Sequence, residues 1–364
     1  MVHDFYVSGY AAPDEKGIIR YRFDADAKTI EEVDYVTGIE NPTYMIPHPD
    51  GKKIYSGEKH KGEGEVVSYI LDGTKPRVTA KIKTGGISPC HISLDPACEF
   101  LFAANYATGS LAAFRLNADG SLMERTDFIQ FEGHGTNPAR QDRPYIHYAL
   151  CTGNTFYACD LGCDLVRVFD FDRVSGKLSP TDRNISVQPG DGPRHLALHD
   201  SHPGFLYLIT EMGSRVYVLK ESSGRYEAVQ KIRSLSERHD VLKESGGKYE
   251  VIQKISSLPE GYDGPENTAA AIRFTEDGTR LLVSNRGHDS IAVYEVLPDG
   301  TLSAPCWNPS GGVAPRDFNI IGNYVISSNQ ISGDVVVYEL DGLKLRETGI
   351  HTNFGHPSCV QPAM

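Results

Sequence analysis

No apolar run in this chain of 364 residues approaches the roughly 18 residues that a membrane-spanning helix requires. The N-terminus also lacks the charged, apolar and small-residue regions of a signal peptide. The seven cysteines are odd in number and scattered, so they do not form the pattern of a disulfide framework. We therefore expect a cytoplasmic location, reduced cysteines and no membrane partner.

Positive charge is also scarce. The 36 Lys and Arg residues stand against 48 Asp and Glu residues, which gives a formal net charge of −12. Nucleic acids and anionic membranes bind basic surfaces, so this composition disfavours both as partners. A small anionic substrate stays compatible with the charge, provided that arginines cluster around one pocket.

Several common catalytic motifs are missing. The sequence contains no G-x-S-x-G elbow, no G-x-x-x-x-G-K-[ST] loop and no H-E-x-x-H pair, which disfavours serine nucleophile, nucleotide and zinc-protease chemistry. Cys159 and Cys163 have C-x3-C spacing but no matching second pair, so we expect no metal site there.

A unit of two short apolar strands joined by a brief loop recurs seven times. The first strand of each unit ends in a polar or glycine residue, and these residues are Gly9, Glu58, Asn105, Asp160, Glu211, Asn285 and Asn329. The intervals between them are 49, 47, 55, 51, 74 and 44 residues. Repeats of about 40–50 residues with four strands each are typical of β-propeller blades.

A second repeat supplies the other strands. Prolines introduce an apolar strand before most units, at Pro42, Pro89, Pro144, Pro193 and Pro315. The N-terminus opens without such a strand, whereas residues 356–362 resemble one with no unit after it. The sequence therefore predicts an all-β fold: a seven-bladed β-propeller with four antiparallel strands per blade, its ring closed by N- and C-terminal strands in one blade. No linker appears, so we expect residues 1–364 to form one domain.

The 74-residue interval contains a local duplication. Residues 219–235 and 242–258 are identical at 12 of 17 positions and are offset by 23 residues. Removing one copy would shorten the interval to 51 residues, which restores the period. The extra hairpin either extends the edge of the fifth blade or forms a loop.

Polar side chains are expected at the mouth of the central channel, where the inner strands of a propeller end. The proline strands and the ends of the repeated units bring the following residues there: His91, Asn105, Tyr106, His147, Arg194, Glu211, Arg286, Arg316, Asn329 and Gln330. So many histidines, arginines and amides on one axis predict a binding or catalytic site. Glu211 in particular would be costly to bury unless it is paired or functional.

Structural roles remain open for some of these residues. The asparagines that end the first strands can cap turns through their own side chains. His195 and Asp317 alternate with their neighbouring arginines and are expected to point into the sheets. Arg286 and Arg316 can pair with Asp289 or Asp317 as ties between blades.

The chain also contains the ordered segments RQDRPYIHYAL, CDLGCDLVRVF, PGDGPRHLALH, YLITEMGS, VSNRGHDSIAVY and APRDFNI. These segments resemble the signatures of the seven-bladed propeller lactonases, which include bacterial 6-phosphogluconolactonases and fungal carboxy-muconate cyclases. The resemblance extends from the first strand to about Asn329. It implies that the catalytic residues are His147, Arg194, Glu211 and Arg286. One departure is Tyr145, which stands where many relatives have a further histidine.

The resemblance implies hydrolysis of a small anionic sugar lactone, with 6-phosphogluconolactone as the first candidate and no cofactor. Such a reaction needs a base for water, a positive group for the oxyanion and anchors for the substrate's charge. Glu211 or His147 can act as the base, and Arg194 or Arg286 can stabilise the oxyanion. The residues expected to bind substrate are His91, Asn105, Tyr106, Arg316, Asn329 and Gln330.

Two other functions remain open. The same residues could serve a carboxy-muconate cyclase, in which a carboxylate adds to a double bond to form a lactone. The propeller could instead bind a protein or ligand without catalysis, its polar residues forming salt bridges that fill the channel.

Overall fold

The computed structural model describes residues 1–72, 75–221 and 249–364. In these residues the chain forms seven antiparallel sheets, arranged as the blades of a ring, which confirms the predicted all-β propeller. Each blade has four strands, and the fourth has one short additional strand. The described ranges contain no helix that is long and apolar enough to cross a membrane.

The first four blades begin at the N-terminus. The first blade contains β1 (Val2–Gly9), β2 (Ile18–Asp24) and β3 (Thr29–Val36). The second contains β4 (Tyr44–Pro47), β5 (Lys53–His60), β6 (Glu63–Ile70) and β7 (Arg77–Lys83). The third contains β8 (Pro89–Leu94), β9 (Phe100–Asn105), β10 (Ser110–Leu116) and β11 (Leu122–Gln130). The fourth contains β12 (Ile146–Thr152), β13 (Thr155–Asp160), β14 (Leu165–Asp172), β15 (Lys177–Pro180) and the short β16 (Ile185–Ser186).

Three more blades follow, and the last strand returns to the first blade. The fifth contains β17 (Pro193–Leu198), β18 (Phe205–Thr210), β19 (Arg215–Lys220) and β20 (Glu250–Ser256). The sixth contains β21 (Thr268–Phe274), β22 (Arg280–Arg286), β23 (Ser290–Glu295) and β24 (Cys306–Pro309). The seventh contains β25 (Pro315–Ile321), β26 (Tyr324–Asn329), β27 (Asp334–Asp341) and β28 (Lys344–Asn353). The final strand, β29 (Pro357–Pro362), pairs with β1.

The ring is closed as predicted. β29 runs antiparallel to β1, with Val360 opposite Val7. The same strand is tied to both neighbouring blades, because Ser358 Oγ donates to Thr43 O at 2.8 Å and Val360 N donates to Asp317 Oδ2 at 2.9 Å. Pairing of the two ends of the chain in one sheet completes the four strands of the first blade.

The core lies between neighbouring blades. Aromatic rings of successive blades pack together, as Phe102 of β9 does with Phe156 of β13 at a centroid distance of 4.8 Å. Buried tyrosines add a polar tie: Tyr207 OH in the fifth blade donates to Gly300 O in the sixth at 2.7 Å. Gly300 has φ +82, which this turn requires and which glycine adopts without strain. Each blade is therefore held to the next by both apolar packing and hydrogen bonds.

The duplicated hairpin falls in the fifth blade. The outermost strand, β20, comes from the second copy. β19 ends at Lys220, which is the second residue of the first copy. The two predicted roles for the extra hairpin concern residues 222–248, which lie outside the described residues. The four strands of this blade are complete without them.

Candidate active site

A β-bulge recurs at the start of the inner strands. In β8, β12, β17 and β25 one residue has no partner opposite it, and these residues are Cys90, His147, Arg194 and Arg316. A bulge re-aims the side chain of its extra residue and is common beside active sites. Three of the four side chains line one central cavity, and the exception, Arg194, lies directly behind Glu211.

A second set of cavity residues comes from the second strand of each blade, counted from the channel. In several blades, the residue after the second strand from the channel donates its backbone N–H to a carbonyl oxygen just before the innermost strand. Tyr106 donates in this way to Ser88 O, and Glu211 donates to Gly192 O. Tyr10 forms the same bond with His356. Side chains near this level of the ring line the cavity, and they are Tyr10, Lys59, Tyr106, Glu211 and Arg286.

The structure corrects the alignment of Glu211 within the repeat. Thr210, and not Glu211, lies opposite the inner-strand proline in the way that Asn105 does in the third blade. Thr210 also pairs with the residue five positions later, as Asn105 does. The sequence alignment was wrong by one residue because the fifth unit was assigned a shorter loop. Glu211 therefore shares the position of Tyr106, from which side chains point into the cavity.

The cavity has a volume of about 470 Å³, within the range of small-molecule sites. Besides the residues already described it is lined by Asn41, Thr43, Ser88, Pro89 and Arg140. Arg140, which lies in the loop between β11 and β12, was not among the residues selected from the sequence. It belongs to the quoted segment RQDRPYIHYAL, but it lies outside the repeated strands, and no periodic signal marks it.

Glu211 is the centre of an ion cluster. Its Oε1 lies 2.5 Å from Arg140 Nη2. Its Oε2 lies 2.9 Å from Arg194 Nε and 2.8 Å from Arg286 Nη2. One carboxylate thus contacts three guanidinium groups from three blades, which orients all of them towards one side of the cavity.

The charge states of this cluster follow from its geometry. Burial on its own raises the pKa of the Glu211 carboxyl, but Arg286 and Arg194 outweigh it and hold that pKa well below its ordinary value. Burial and the neighbouring Arg286 lower the pKa of Arg194 to about 9, so its guanidinium keeps its charge at neutral pH. Glu211 is therefore an ionised and weakly basic carboxylate at neutral pH.

His147 stands beside the cluster as a neutral imidazole. Burial, with a further effect of Arg194, holds its pKa well below the ordinary value of 6.5. Its ring packs edge-on against Tyr106 at 5.5 Å and against His195 at 5.2 Å between centroids. Its Nδ1 is buried and has no hydrogen-bond partner among the residues that the structure describes.

Not all of the residues expected to bind substrate line the cavity. His91 lies beneath it, between the rings of Tyr44 at 4.4 Å and Tyr148 at 4.0 Å. Asn105 and Asn329 are completely buried and bond to their own hairpins, Asn105 Nδ2 to Ser110 Oγ at 3.2 Å. These two asparagines therefore have the alternative role given above, in which their side chains cap the turns of their own hairpins.

Arg316 does not form the ion pair with Asp289 or Asp317 that the sequence left open. Arg316 lines the cavity, and its Nη1 donates to Gln330 Oε1 at 3.3 Å. Asp317 instead accepts from Arg273 Nη2 at 2.8 Å. Asp289 accepts from backbone N–H groups, including that of Ala314 at 2.8 Å. Neither carboxylate therefore neutralises an arginine of the cavity.

The cavity contains single side chains that can bind metals, such as Cys90, His147 and Glu211. Within the described ranges, no three or more His, Cys, Asp or Glu side chains are grouped so as to hold a metal ion. Cys163 is partly exposed and Cys159 is buried, and all seven cysteines are free. Burial raises the pKa of the Cys90 thiol in the cavity wall to about 12, so it stays protonated.

A family model described as lactonase, seven-bladed β-propeller matches residues 4–362. The chain belongs to this lactonase family. It is 30% identical over 372 residues to 6-phosphogluconolactonase of Bacillus subtilis strain 168, with 98% of this chain and 97% of that protein covered. It is also 30% identical over 374 residues to an uncharacterized protein of Lactococcus lactis subsp. cremoris strain MG1363, with 100% of both covered.

Solved structures agree with this assignment of the fold. A protein from Lactobacillus plantarum has a TM-score of 0.87 and 27% identity, and the match covers 100% of both chains. A periplasmic gluconolactonase from Pseudomonas aeruginosa has a TM-score of 0.84 and 24% identity, with 100% of this chain and 99% of that chain covered. The family model and the relative from Bacillus subtilis confirm the resemblance recognised in the sequence at the level of the lactonase family.

Proposed function

We propose that this propeller hydrolyses a small anionic sugar lactone in the central cavity, and that the substrate is 6-phosphogluconolactone. The observation that carries the proposal is the cluster of three arginines on Glu211 beside the neutral His147. The relative from Bacillus subtilis that is named 6-phosphogluconolactonase supports the choice of substrate. The chemistry requires neither a cofactor nor a macromolecular partner.

His147 is the proposed general base. At neutral pH its imidazole is uncharged because its pKa is low, so it can take a proton from water as the water oxygen attacks the lactone carbonyl. The tetrahedral intermediate then collapses, and the bond from the carbonyl carbon to the ring oxygen breaks. The imidazolium returns its proton to that oxygen, and the products are a hydroxyl group and a carboxylic acid that ionises in solution.

The arginines are the proposed oxyanion site. The carbonyl oxygen gains negative charge as water adds, and preorganised cations stabilise such charge strongly in a site that excludes water. Arg140 and Arg286 both line the cavity, and Glu211 holds one nitrogen of each guanidinium group. Arg286 Nε donates to Thr268 O, so the Nη1 groups of the two arginines are the proposed donors to the substrate oxygen. Glu211 thus serves as the positioning residue for the arginines in this proposal.

Two alternatives are tested by the same assay. A carboxy-muconate cyclase would use the arginines for substrate carboxylates and His147 for a proton at carbon. In a scaffold without catalysis, salt bridges would fill the channel, whereas the open cavity of about 470 Å³ favours a site for a small molecule.

The experiment measures formation of 6-phosphogluconate from freshly prepared lactone, with the spontaneous hydrolysis rate subtracted, beside a parallel assay with a carboxy-muconate. We expect turnover of the phosphorylated lactone and a decrease in kcat of roughly 10²–10⁴ in His147→Gln, because a general base contributes about that factor. His351→Gln on the exposed face of β28 is the matched control and should keep the parent rate. Turnover of the muconate alone would contradict the proposal.

A further inference from the structure

The cavity carries a large excess of positive charge. Glu211 is the only carboxylate among the described residues that line it. Five cationic side chains line it or contact Glu211: Lys59, Arg140, Arg194, Arg286 and Arg316. The chain as a whole has a net charge of −12, so this local excess opposes the general composition. Concentrated charge of one sign in a cleft attracts ligands of the opposite sign.

Glu211 neutralises only part of this charge. Its two oxygens are occupied by Arg140, Arg194 and Arg286. Across the described ranges, neither Lys59 nor Arg316 forms an ion pair with any carboxylate. The Arg316 guanidinium donates to the neutral amide of Gln330 and lies 5.7 Å from the centre of the Tyr10 ring. Among the described residues, these two cations of the cavity wall are therefore not in direct contact with a carboxylate.

These two cations come from the two blades that flank the first blade, and not from the blade of Glu211. Arg316 belongs to the seventh blade. Tyr10 follows β1 in the first blade, and Lys59 lies in β5 of the second blade. Glu211 and Arg194 belong to the fifth blade, whereas His147 and Arg140 come from the fourth and Arg286 from the sixth. In a ring of seven, the first and second blades face the fifth, whereas the seventh is separated from the fifth by the sixth alone. Lys59 thus faces the proposed reaction centre across the cavity, and Arg316 lies between the two sides, beside Tyr10.

Neutral hydrogen-bonding groups line the cavity together with Lys59. Asn41, Thr43 and Ser88 line the same side of the cavity, at the second and third blades. Thr43 Oγ1 lies 3.4 Å from Pro89 O, which fixes its position at the junction of these blades. An amide, two hydroxyls and two cations form a set of donors suited to an oxyanion that carries more than one charge.

We propose that Lys59 and Arg316, with Tyr10 between them, form the subsite that binds the phosphate of the substrate and gives the enzyme its preference for phosphorylated over unphosphorylated lactones. This inference rests on the proposed function, since it assigns one end of the same substrate. A phosphate monoester carries about −1.5 to −2 charges at neutral pH, which matches two cations. The planar guanidinium of Arg316 can contact two phosphate oxygens, and Lys59 adds a point charge. A lactone without phosphate would leave both cations unpaired.

The test compares kcat/KM for 6-phosphogluconolactone with kcat/KM for gluconolactone. We expect this ratio to fall about 10- to 100-fold in Lys59→Met and in Arg316→Gln, because a hydrogen bond to a charged group contributes that much. The matched control is Lys52→Met, an exposed lysine at the opposite end of β5, which should keep the parent ratio. An unchanged ratio in both folded cavity variants would overturn the proposal.

A binding measurement separates this proposal from the proposed function. Calorimetry gives the affinities of the parent protein for 6-phosphogluconate and for gluconate without any turnover. If the parent hydrolyses neither lactone, a preference for 6-phosphogluconate that Lys59→Met abolishes would still support the phosphate subsite. Equal affinity of the parent for both acids would refute the subsite, even if lactone hydrolysis is observed.

Discussion

Glu211 and Arg194 form a buried ion pair within the fifth blade, with 2.9 Å between Glu211 Oε2 and Arg194 Nε. Arg194 is the bulged residue of β17, and Glu211 follows directly after β18. The bulge removes Arg194 from the pairing ladder, in which it would otherwise face Ile209. One extra residue in a strand thus brings the guanidinium to the carboxylate, and the same device places His147 and Arg316 at the cavity.

Glu211→Gln should destabilise the protein as well as impair catalysis. The variant keeps the size of the side chain, but it leaves three guanidinium groups without their shared counter-charge. Removing one partner of a buried ion pair typically costs about 3–5 kcal/mol. We expect a decrease of that order in the free energy of unfolding, measured by denaturant titration, together with a large loss of kcat.

The control for this variant is Glu276→Gln, in the exposed turn between β21 and β22. It removes the same charge from the chain without touching the cluster, and we expect the parent stability. Should Glu211→Gln be as stable as Glu276→Gln, the three arginine contacts would contribute little, and Glu211 would not be the group that holds them.

The buried histidines predict that stability falls in mild acid. Burial holds the pKa values of His91, His147 and His195 well below 6.5, so these residues stay neutral in the folded state. Below about pH 6.5 the unfolded chain takes up protons that the folded state does not, so the stability present above that pH is progressively lost. Each histidine contributes a slope of about 1.4 kcal/mol per pH unit.

The measurement is the free energy of unfolding between pH 7.5 and 5. His91→Gln retains a hydrogen-bonding side chain beneath the cavity but cannot titrate, so the slope should decrease by the share of one histidine. His351→Gln, on the exposed outer strand, is the control and should leave the slope unchanged. A slope that is the same in His91→Gln as in the parent would mean that His91 is already protonated in the folded state.

The sequence predicts the fold better than the site, for physical reasons. Blades follow from local alternation and from turn residues such as Gly300, so the repeat was sufficient to predict seven blades and the closure by β29. A bulge depends on the register between two strands, which the residues around His147 do not reveal. The contact of Arg140 with Glu211 joins residues from two blades, and Lys59 was missed although it directly follows Glu58. Such contacts arise only when the ring assembles.

Removal of residues 357–364 should open the ring. The deletion takes away all of β29, and with it the pairing to β1 and the hydrogen bonds to Thr43 and Asp317. We expect a loss of soluble protein or a decrease in melting temperature of about 10 °C or more. Deletion of Met364 alone should leave the melting temperature unchanged. A truncated chain that melts like the parent would mean that β29 does not hold the ring closed.

Deletion of residues 219–241 should leave a complete fifth blade. The cut joins Val218 to Leu242, so the second copy of the duplication replaces the end of β19 and still supplies β20. The residues of the second copy that would take over are identical to Leu219, Lys220 and Glu221. We therefore expect soluble protein with the parent circular dichroism spectrum, a similar melting temperature and unchanged lactonase activity. Deletion of residues 219–258 is the control, because it removes both copies, and β20 with them, and should abolish folding. If the two deletions behave alike, the first copy contributes packing to the blade that the second cannot replace.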